Sequence, residues 1–254
     1  FLKLTLGSCA DGGSPSPYQH NIAEHDSNDS SFEIADQPLP SFSIEDAHVT
    51  TTGSNFIRTV KGCMIDTMTI DAPEGGMIQV TAGYSAQQLT YSSGAATAVT
   101  TRTNRPFLSA DTRLYIGSPE ITSPLPNDIG WSLAIANSLS KHHYANGVKY
   151  RGVPLPTSRD YTLTVNLTEY DQMTKTLYDK YFVGGSEFNC EMQLLTSNTG
   201  SMLLFMSGCH LVSMPSPSAA EGENRHTLTI RPTSMNAQAY DDIQFYNNTS
   251  GTGF

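Results

Sequence analysis

Period-two alternation of apolar and polar residues is the feature that most constrains the fold of this chain. Tyr161, Leu163, Val165 and Leu167 alternate with threonines and an asparagine. Successive side chains of a strand point to opposite faces, so this pattern predicts a strand with one buried and one polar face. The same alternation recurs over 42–48, 78–85, 131–136 and 188–194, and more weakly over 62–70, 112–117, 201–213 and 226–231. So many short strands predict a mainly all-β fold, a β-sandwich or barrel.

One segment departs from this pattern and predicts a helix. Between Tyr170 and Tyr181 the apolar residues fall at helical spacing. Thr168 is a suitable N-cap, and Gly184 begins a Gly-Gly pair that is typical of a helix end. We therefore predict one α-helix over about 168–182, flanking the sheets with its apolar stripe against them.

Residues 1–39 differ in composition from the rest of the chain. Gly, Pro, Ser, Asp and Asn dominate this region, and such a composition does not favour a strand ladder or an amphipathic helix. We predict an N-terminal arm or extended loop over 1–39 and a β-sandwich domain over 40–254. Long loops are predicted over 92–111 and 139–156, and ordered loops of that length usually reach a neighbour or a ligand.

The charge and hydropathy of the chain exclude two classes of partner. The formal net charge is −10, from 24 acidic and 14 basic residues with no basic block, so tight binding of nucleic acid is not expected. No apolar run approaches the roughly 20 residues that a membrane span needs. The opening FLKLTLGSC has no basic leader and is a poor signal peptide.

The cysteines predict no metal site and no disulfide framework. Cys9, Cys63, Cys190 and Cys209 are widely spaced and form no Cys-x-x-Cys pair. We interpret them as free thiols of a protein made in a reducing compartment.

Three motifs invite a chemical interpretation, and each has a simpler one. The adjacent His142 and His143 point apart in extended backbone and have no acidic or cysteine partner nearby. The acidic stretch 24–31 lacks the glycine and terminal glutamate of an EF-hand. Ser85 sits in GYSAQ, similar to a nucleophile elbow, but it continues an alternating strand. We predict no catalytic residue, no cofactor and no metal.

An interaction protein is the class that remains. Strands with a polar, uncharged second face leave spare edges and long loops for partner subunits. A solvent-facing sheet on a monomer accounts equally well for the polarity, but less well for the loops and the arm. The alternative function is a monomeric carbohydrate-binding or adhesin-type β-sandwich. That class needs an exposed aromatic platform, whereas Trp131 lies in an alternating strand that favours a core position.

The segment 58–87 reads RTVKGCMIDTMTIDAPEGGMIQVTAGYSAQ, a strand, an acidic Gly-Gly turn and a return strand. It follows PSFSIEDA (40–47) and precedes RPFLSADTRLYIG (105–117), WSLAIANSLS (131–140) and RDYTLTVNL (159–167). In this order the chain resembles, over 40–246, the major tail tube proteins of long-tailed (siphovirus-like) phages and related archaeal tailed viruses.

The resemblance implies a structural, non-enzymatic subunit of a virion tail. In that family a β-sandwich with one flanking helix forms hexameric rings, and the rings stack into a tube. The lumen conducts DNA during genome delivery without binding it specifically. The implied partners are further copies of the chain, a tape measure protein, and tail terminator or baseplate proteins, with assembly in the host cytoplasm and no membrane.

Acidic and turn residues are the candidates for contact surfaces, because an acidic lumen repels phosphates whereas a basic one would hold them. The candidate lumen-facing or inter-ring residues are Asp66, Glu74, Gly75, Gly76, Glu187 and Glu191.

Overall fold

The computed structural model describes residues 2–12, 18–24, 39–49, 55–97, 106–117, 124–125, 128–140, 152–168, 172–195, 200–214 and 225–241. The strands are β1 (Gly7–Gly12), β2 (Tyr18–Glu24), β3 (Phe42–Val49), β4 (Asn55–Ala72), β5 (Gln79–Ser85), β6 (Gln88–Ser92), β7 (Thr112–Gly117), β8 (Asp128–Ala136), β9 (Asp160–Leu167), β10 (Phe188–Leu195), β11 (Gly200–Ser213), β12 (His226–Arg231) and β13 (Ser234–Asp241). The helices are α1 (Leu2–Leu6), a 3-10 turn (Ser109–Asp111) and α2 (Gln172–Leu177), which continues as a π-helix over Tyr178–Val183.

Antiparallel pairing arranges these strands in two main layers and a smaller extension. Sheet I has the order β1-β2-β13-β11-β10-β7. Sheet II has the order β12-β9-β8-β4-β5. The first half of β4 also lies between β3 and β6, and we call this three-stranded extension the arm sheet. The predicted mainly all-β fold is confirmed.

Two long strands join the layers, and each bends at a glycine. In β4, Gly62 has φ 63° and separates the part in the arm sheet from the part in sheet II. In β11, Gly208 has φ 56° and separates the part paired with β13 from the part paired with β12. A left-handed glycine is the usual residue at such a bulge, because a side chain there would strain the backbone.

The hydrophobic core lies between sheets I and II. Leu163, Val165 and Leu167 are fully buried, as the alternation predicts. Trp131 is 2% exposed and its Nε1 donates a hydrogen bond to Thr112 Oγ1 at 3.2 Å. The tryptophan is therefore a core residue, and it offers no binding platform.

The N-terminal segment is part of this core. Leu2 and Leu6 of α1 are buried, and Thr5 Oγ1 donates to Met68 Sδ at 3.3 Å. The side chain of Asn137, itself fully buried, donates to the carbonyl of Thr5 at 3.1 Å. These contacts fix α1 against the inner side of β4.

Strands β1 and β2 correct one prediction. A ladder was not expected in this part of the chain, yet β2 pairs with β13 and β1 pairs with β2 at the edge of sheet I. The prediction of an extended loop is therefore wrong for 7–12 and 18–24, because backbone groups make a ladder whatever the side chains are. Residues 25–38 lie outside the described residues.

The predicted flanking helix is present as α2 with its π-helical continuation. Leu177 and Tyr181 are buried, and the Tyr181 ring centroid lies 4.5 Å from that of Phe188. Gly184 ends the helix by donating its N–H to the Asp179 carbonyl at 3.1 Å. Within the described parts of the chain, no helix has the length and apolar character that a membrane crossing requires.

Candidate functional site

The outer surface of sheet II is a continuous face of small polar side chains. The intervening residues of the same strands, such as Ile70, Leu133 and Leu163, are buried, so alternation sends the polar set outward. Across the strands, Thr69 aligns with Ala134, which aligns with Thr162. We call this surface the hydroxyl face; it comprises Thr67, Thr69, Asp71, Thr81, Ser132, Ala134, Ala136, Thr162, Thr164, Asn166, Thr227 and Thr229.

The hydroxyl face carries very little charge. Asp71 is its one charged member, and Asp160 and Arg231 lie at its margins. Thr227 Oγ1 donates to Asn166 Oδ1 at 3.0 Å, so part of the polar surface is satisfied within the sheet. A surface of this kind holds water through hydroxyl groups and offers no row of cations to bind phosphates.

Several strands have an edge without a partner within the described part of the chain. There, β5, β6 and β3 pair only with β4, and β1 pairs only with β2. An open edge presents backbone N–H and C=O groups, which are able to pair with a strand of another chain. Within the described residues, these edges are therefore suited to pairing with a further strand.

The predicted residues Glu74, Gly75 and Gly76 form an exposed turn between β4 and β5. Gly76 N donates to the Pro73 carbonyl at 3.0 Å, and Gly75 has φ 64° with open space around it. Glu74 Oε2 accepts a hydrogen bond from Arg225 Nη1 at 3.1 Å, a pair in which both side chains are more than half exposed. This turn is a surface-exposed end of sheet II.

The other three predicted residues lie apart from this turn and from one another. Asp66 is half-buried, and its Oδ1 accepts the Leu139 N–H at 2.9 Å. Glu187 Oε1 lies 3.3 Å from His210 Nε2. Glu191 lies on the outer surface of sheet I and accepts a hydrogen bond from the side chain of its neighbour two residues on. The structure thus does not bring the acidic candidates together in one site.

A partly buried polar contact that no sequence pattern indicates ties β2 to the rest of the domain. Tyr161 Oη donates to Glu24 Oε1 at 2.6 Å, and the same oxygen accepts the backbone N–H of Met235. Burial, and then the hydrogen bond to Glu24, raise the pKa of Tyr161 far above its usual value. The partners are separated by more than one hundred residues in the chain, so only the fold brings them together.

The motifs with a possible chemical interpretation have structural settings where they are described. Ser85 is the last residue of β5 and is buried, paired in register with Met64. Within the described residues, no three potential metal ligands cluster. His142, His143 and residues 25–31 lie outside the described residues.

Three cysteines are buried free thiols, as predicted, namely Cys63, Cys190 and Cys209. Burial raises the pKa of Cys190 well above that of an ordinary thiol, and the neighbouring Cys209 raises it further. Burial also raises the pKa of Cys63. The side chain of Cys9 lies outside the described ones.

Comparison with known families agrees with this structure. The profile of one family, described as phage tail tube protein, matches residues 1–239. The chain belongs to this family. Phage tail tube proteins are structural components of the virion tail and not enzymes, which confirms the resemblance and the non-enzymatic class predicted from the sequence. No curated protein matches the chain.

Solved structures of tail tube and baseplate assemblies are similar to this tail tube protein. One is the SPP1 tail tube, with a TM-score of 0.38, 12% identity, and coverage of 55% of this chain and 81% of that one. Another is the baseplate of the anti-feeding prophage (AFP), solved with 6-fold symmetrisation, with a TM-score of 0.39, 16% identity, and coverage of 57% and 97%.

Proposed function

We propose that this tail tube protein forms hexameric rings that stack into a tube, and that the lumen of the tube conducts DNA during genome delivery. The observation that carries this proposal is the combination, in sheet II, of the nearly uncharged hydroxyl face and the open edge of β5. A sheet of this kind is suited to be one sector of a closed barrel with a polar wall.

The open strand edges support the proposal that the subunits form a ring. Pairing between the edge strands of adjacent subunits would satisfy the free backbone groups of β5, and closing the ring would leave no inner edge exposed. An isolated subunit keeps those groups in water and offers them to any other strand. Six-fold closure itself is taken from the family resemblance.

The hydroxyl face is the proposed lumen wall. DNA binds proteins chiefly through phosphate neutralisation by Lys and Arg, and the interior of this face carries Asp71 and no cation. DNA would therefore pass along it without being held. The alternative orientation turns sheet I inward and makes Glu191 a lumen residue.

The remaining predicted contact residues have other proposed places. Glu74, Gly75 and Gly76 form an exposed end of sheet II, and we assign this turn to the contact between successive rings. Asp66 and Glu187 remain proposed lumen or inter-ring residues, although each already has a partner within the subunit.

Partners and place of assembly complete the proposal. The resemblance supports contacts with a tape measure protein and with tail terminator or baseplate proteins. Three buried free thiols fit assembly in a reducing host cytoplasm before the particle is released.

Sedimentation and negative-stain microscopy of the purified chain test the proposal. We expect rings or tubes with a central channel, and their fraction should rise with protein concentration. A chain that remains a folded monomer over the whole concentration range, with and without double-stranded DNA, would contradict it.

A further inference from the structure

One face of the arm sheet carries apolar side chains that the subunit leaves in solvent. Phe56 is 48% exposed, Leu89 47% and Tyr91 61%. The Phe56 and Tyr91 ring centroids lie 5.6 Å apart. Val60 aligns with Leu89 on one side and with Ile44 on the other, so all five lie on the same face. We call this surface the apolar strip.

The opposite face of the arm sheet carries mostly polar side chains and is only partly covered by the chain itself. Ile57, the neighbour of Phe56 in the strand, is 3% exposed. On this face the Glu45 carboxylate accepts hydrogen bonds from the backbone N–H and the side-chain hydroxyl of Thr97, each at 2.8 Å. These bonds tie the segment after β6 to the sheet. These hydrogen bonds lower the pKa of Glu45. The arm sheet thus has one polar, partly covered face and one open apolar face.

The charged groups on the open face are already paired. Arg58 Nη2 lies 2.6 Å from Asp46 Oδ2, and His48 Nε2 lies 3.1 Å from Asp46 Oδ1. Partial desolvation raises the pKa of Asp46, but Arg58 and His48 outweigh it and lower the pKa overall. A partner that covers the strip would meet neutralised charges rather than an isolated ion, which limits the cost of burying them.

The parts of the chain next to the strip are poor candidates to cover it. Segment 50–54 reads TTTGS and segment 98–105 reads AVTTRTNR, both rich in hydroxyl groups or charge.

The strip itself presents on the order of 400 Å² of apolar surface, from the usual size of aromatic and leucine side chains. That is about half of the 800 Å² or so that each partner contributes to a stable protein interface, close to the usual apolar share.

From these observations we infer that the apolar strip is a contact surface for a second copy of this chain. This inference rests on the proposed function, in which many identical subunits surround each arm sheet. The two open edges of the arm sheet, β3 and β6, allow backbone pairing beside the apolar contact. The strip would then be buried only in the assembled state.

Paired aspartate substitutions test the inference. Phe56→Asp with Tyr91→Asp places two charges in the strip, and we expect the concentration needed for assembly to rise at least about tenfold, because aromatic anchors dominate such interfaces. Val183→Asp with Val212→Asp is the matched control. It adds the same charge at side chains that are 67% and 51% exposed elsewhere on the subunit, and it should assemble like wild type. Circular dichroism should show both variants folded.

A photo-reactive phenylalanine analogue at Tyr91 gives an independent measurement. We expect a crosslink between two chains when assembled rings are irradiated. The crosslink should not form when the rings are dissociated by dilution before irradiation. If wild type and both double variants assemble equally and the crosslink stays within one chain, for example to segment 98–105, the inference is overturned while the proposed function stands. If wild type never assembles and no crosslink joins two chains, both fail.

Discussion

At the scale of single residues, Tyr161 and Glu24 decide how firmly the N-terminal strands are held. Tyr161→Phe removes the donor of a partly buried hydrogen bond to a carboxylate, so we expect the free energy of unfolding to fall by about 1–2 kcal/mol. Denaturant unfolding at pH 7 measures it. Tyr91→Phe, at an exposed position, is the matched control and should change stability by less than about 0.5 kcal/mol.

The same tyrosine predicts an alkaline effect. Its folded-state pKa is raised, so its contribution to stability is complete below the unfolded-state pKa of about 10 and is lost as pH rises above that value. Wild type should therefore lose stability above about pH 10 more steeply than Tyr161→Phe. Parallel slopes for the two proteins between pH 9 and 11 would contradict the raised pKa.

Buried thiols should be chemically silent in the folded subunit. The pKa values of Cys63 and Cys190 are raised, and the thiolate is the reactive form. In a Cys9→Ser background, a chromogenic disulfide reagent should react slowly with the native protein and quickly with three thiols in denaturant. Thr176→Cys on the exposed side of α2 should add one fast thiol. Fast reaction without that addition would place a thiol at the surface.

At the scale of elements, the glycine bulges allow one strand to serve two layers. A Cβ on Gly208 would lie 2.1 Å from Thr233 Oγ1. Gly208→Ala therefore combines left-handed strain of about 1 kcal/mol with overpacking of about 1–3 kcal/mol. Gly185→Ala has similar strain, at φ 65°, but open space, and should cost only about 1 kcal/mol.

Thermal or denaturant unfolding of both variants separates these two costs. Adding Thr233→Ala to Gly208→Ala should recover part of the overpacking cost, because it removes the side chain that is struck. Equal destabilisation by Gly208→Ala and Gly185→Ala would mean that the clash is relieved at no cost and that strain alone matters there.

The elements also divide into those that sequence could predict and those that it could not. The predicted segments 112–117 and 226–231 coincide with β7 and β12, because alternating burial is a local property. Strands β1, β2 and β13 were not predicted, since small or polar side chains carry little of that signal. On β5 the strand was predicted correctly but its burial was not, since Val80 and Tyr84 are 48% and 46% exposed whereas Ser85 is buried. An edge strand lacks a neighbour to cover its apolar side chains.

At the scale of the whole molecule, sequence predicted the class of the site better than its residues. The Thr-rich strands correctly indicated a polar, uncharged sheet surface, because alternation alone places those side chains on one side. The acidic candidates do not form one surface, since Asp66 is used inside the subunit and Glu191 lies on the other sheet. Their positions depend on strand pairings between distant segments, which local patterns do not encode.

The orientation of the sheets in a tube gives the last prediction. A bulky polymer-linked maleimide has access to the lumen only through the tube ends, whereas it reaches the outer surface everywhere. If the hydroxyl face lines the lumen, Thr164→Cys should be labelled quickly in dissociated subunits and slowly in assembled tubes, while Thr176→Cys is labelled quickly in both. Gel shifts of labelled protein measure the rates. Glu191→Cys separates the alternatives: rapid labelling in tubes is expected here, and its protection together with exposure of Thr164→Cys would mean that sheet I faces the DNA.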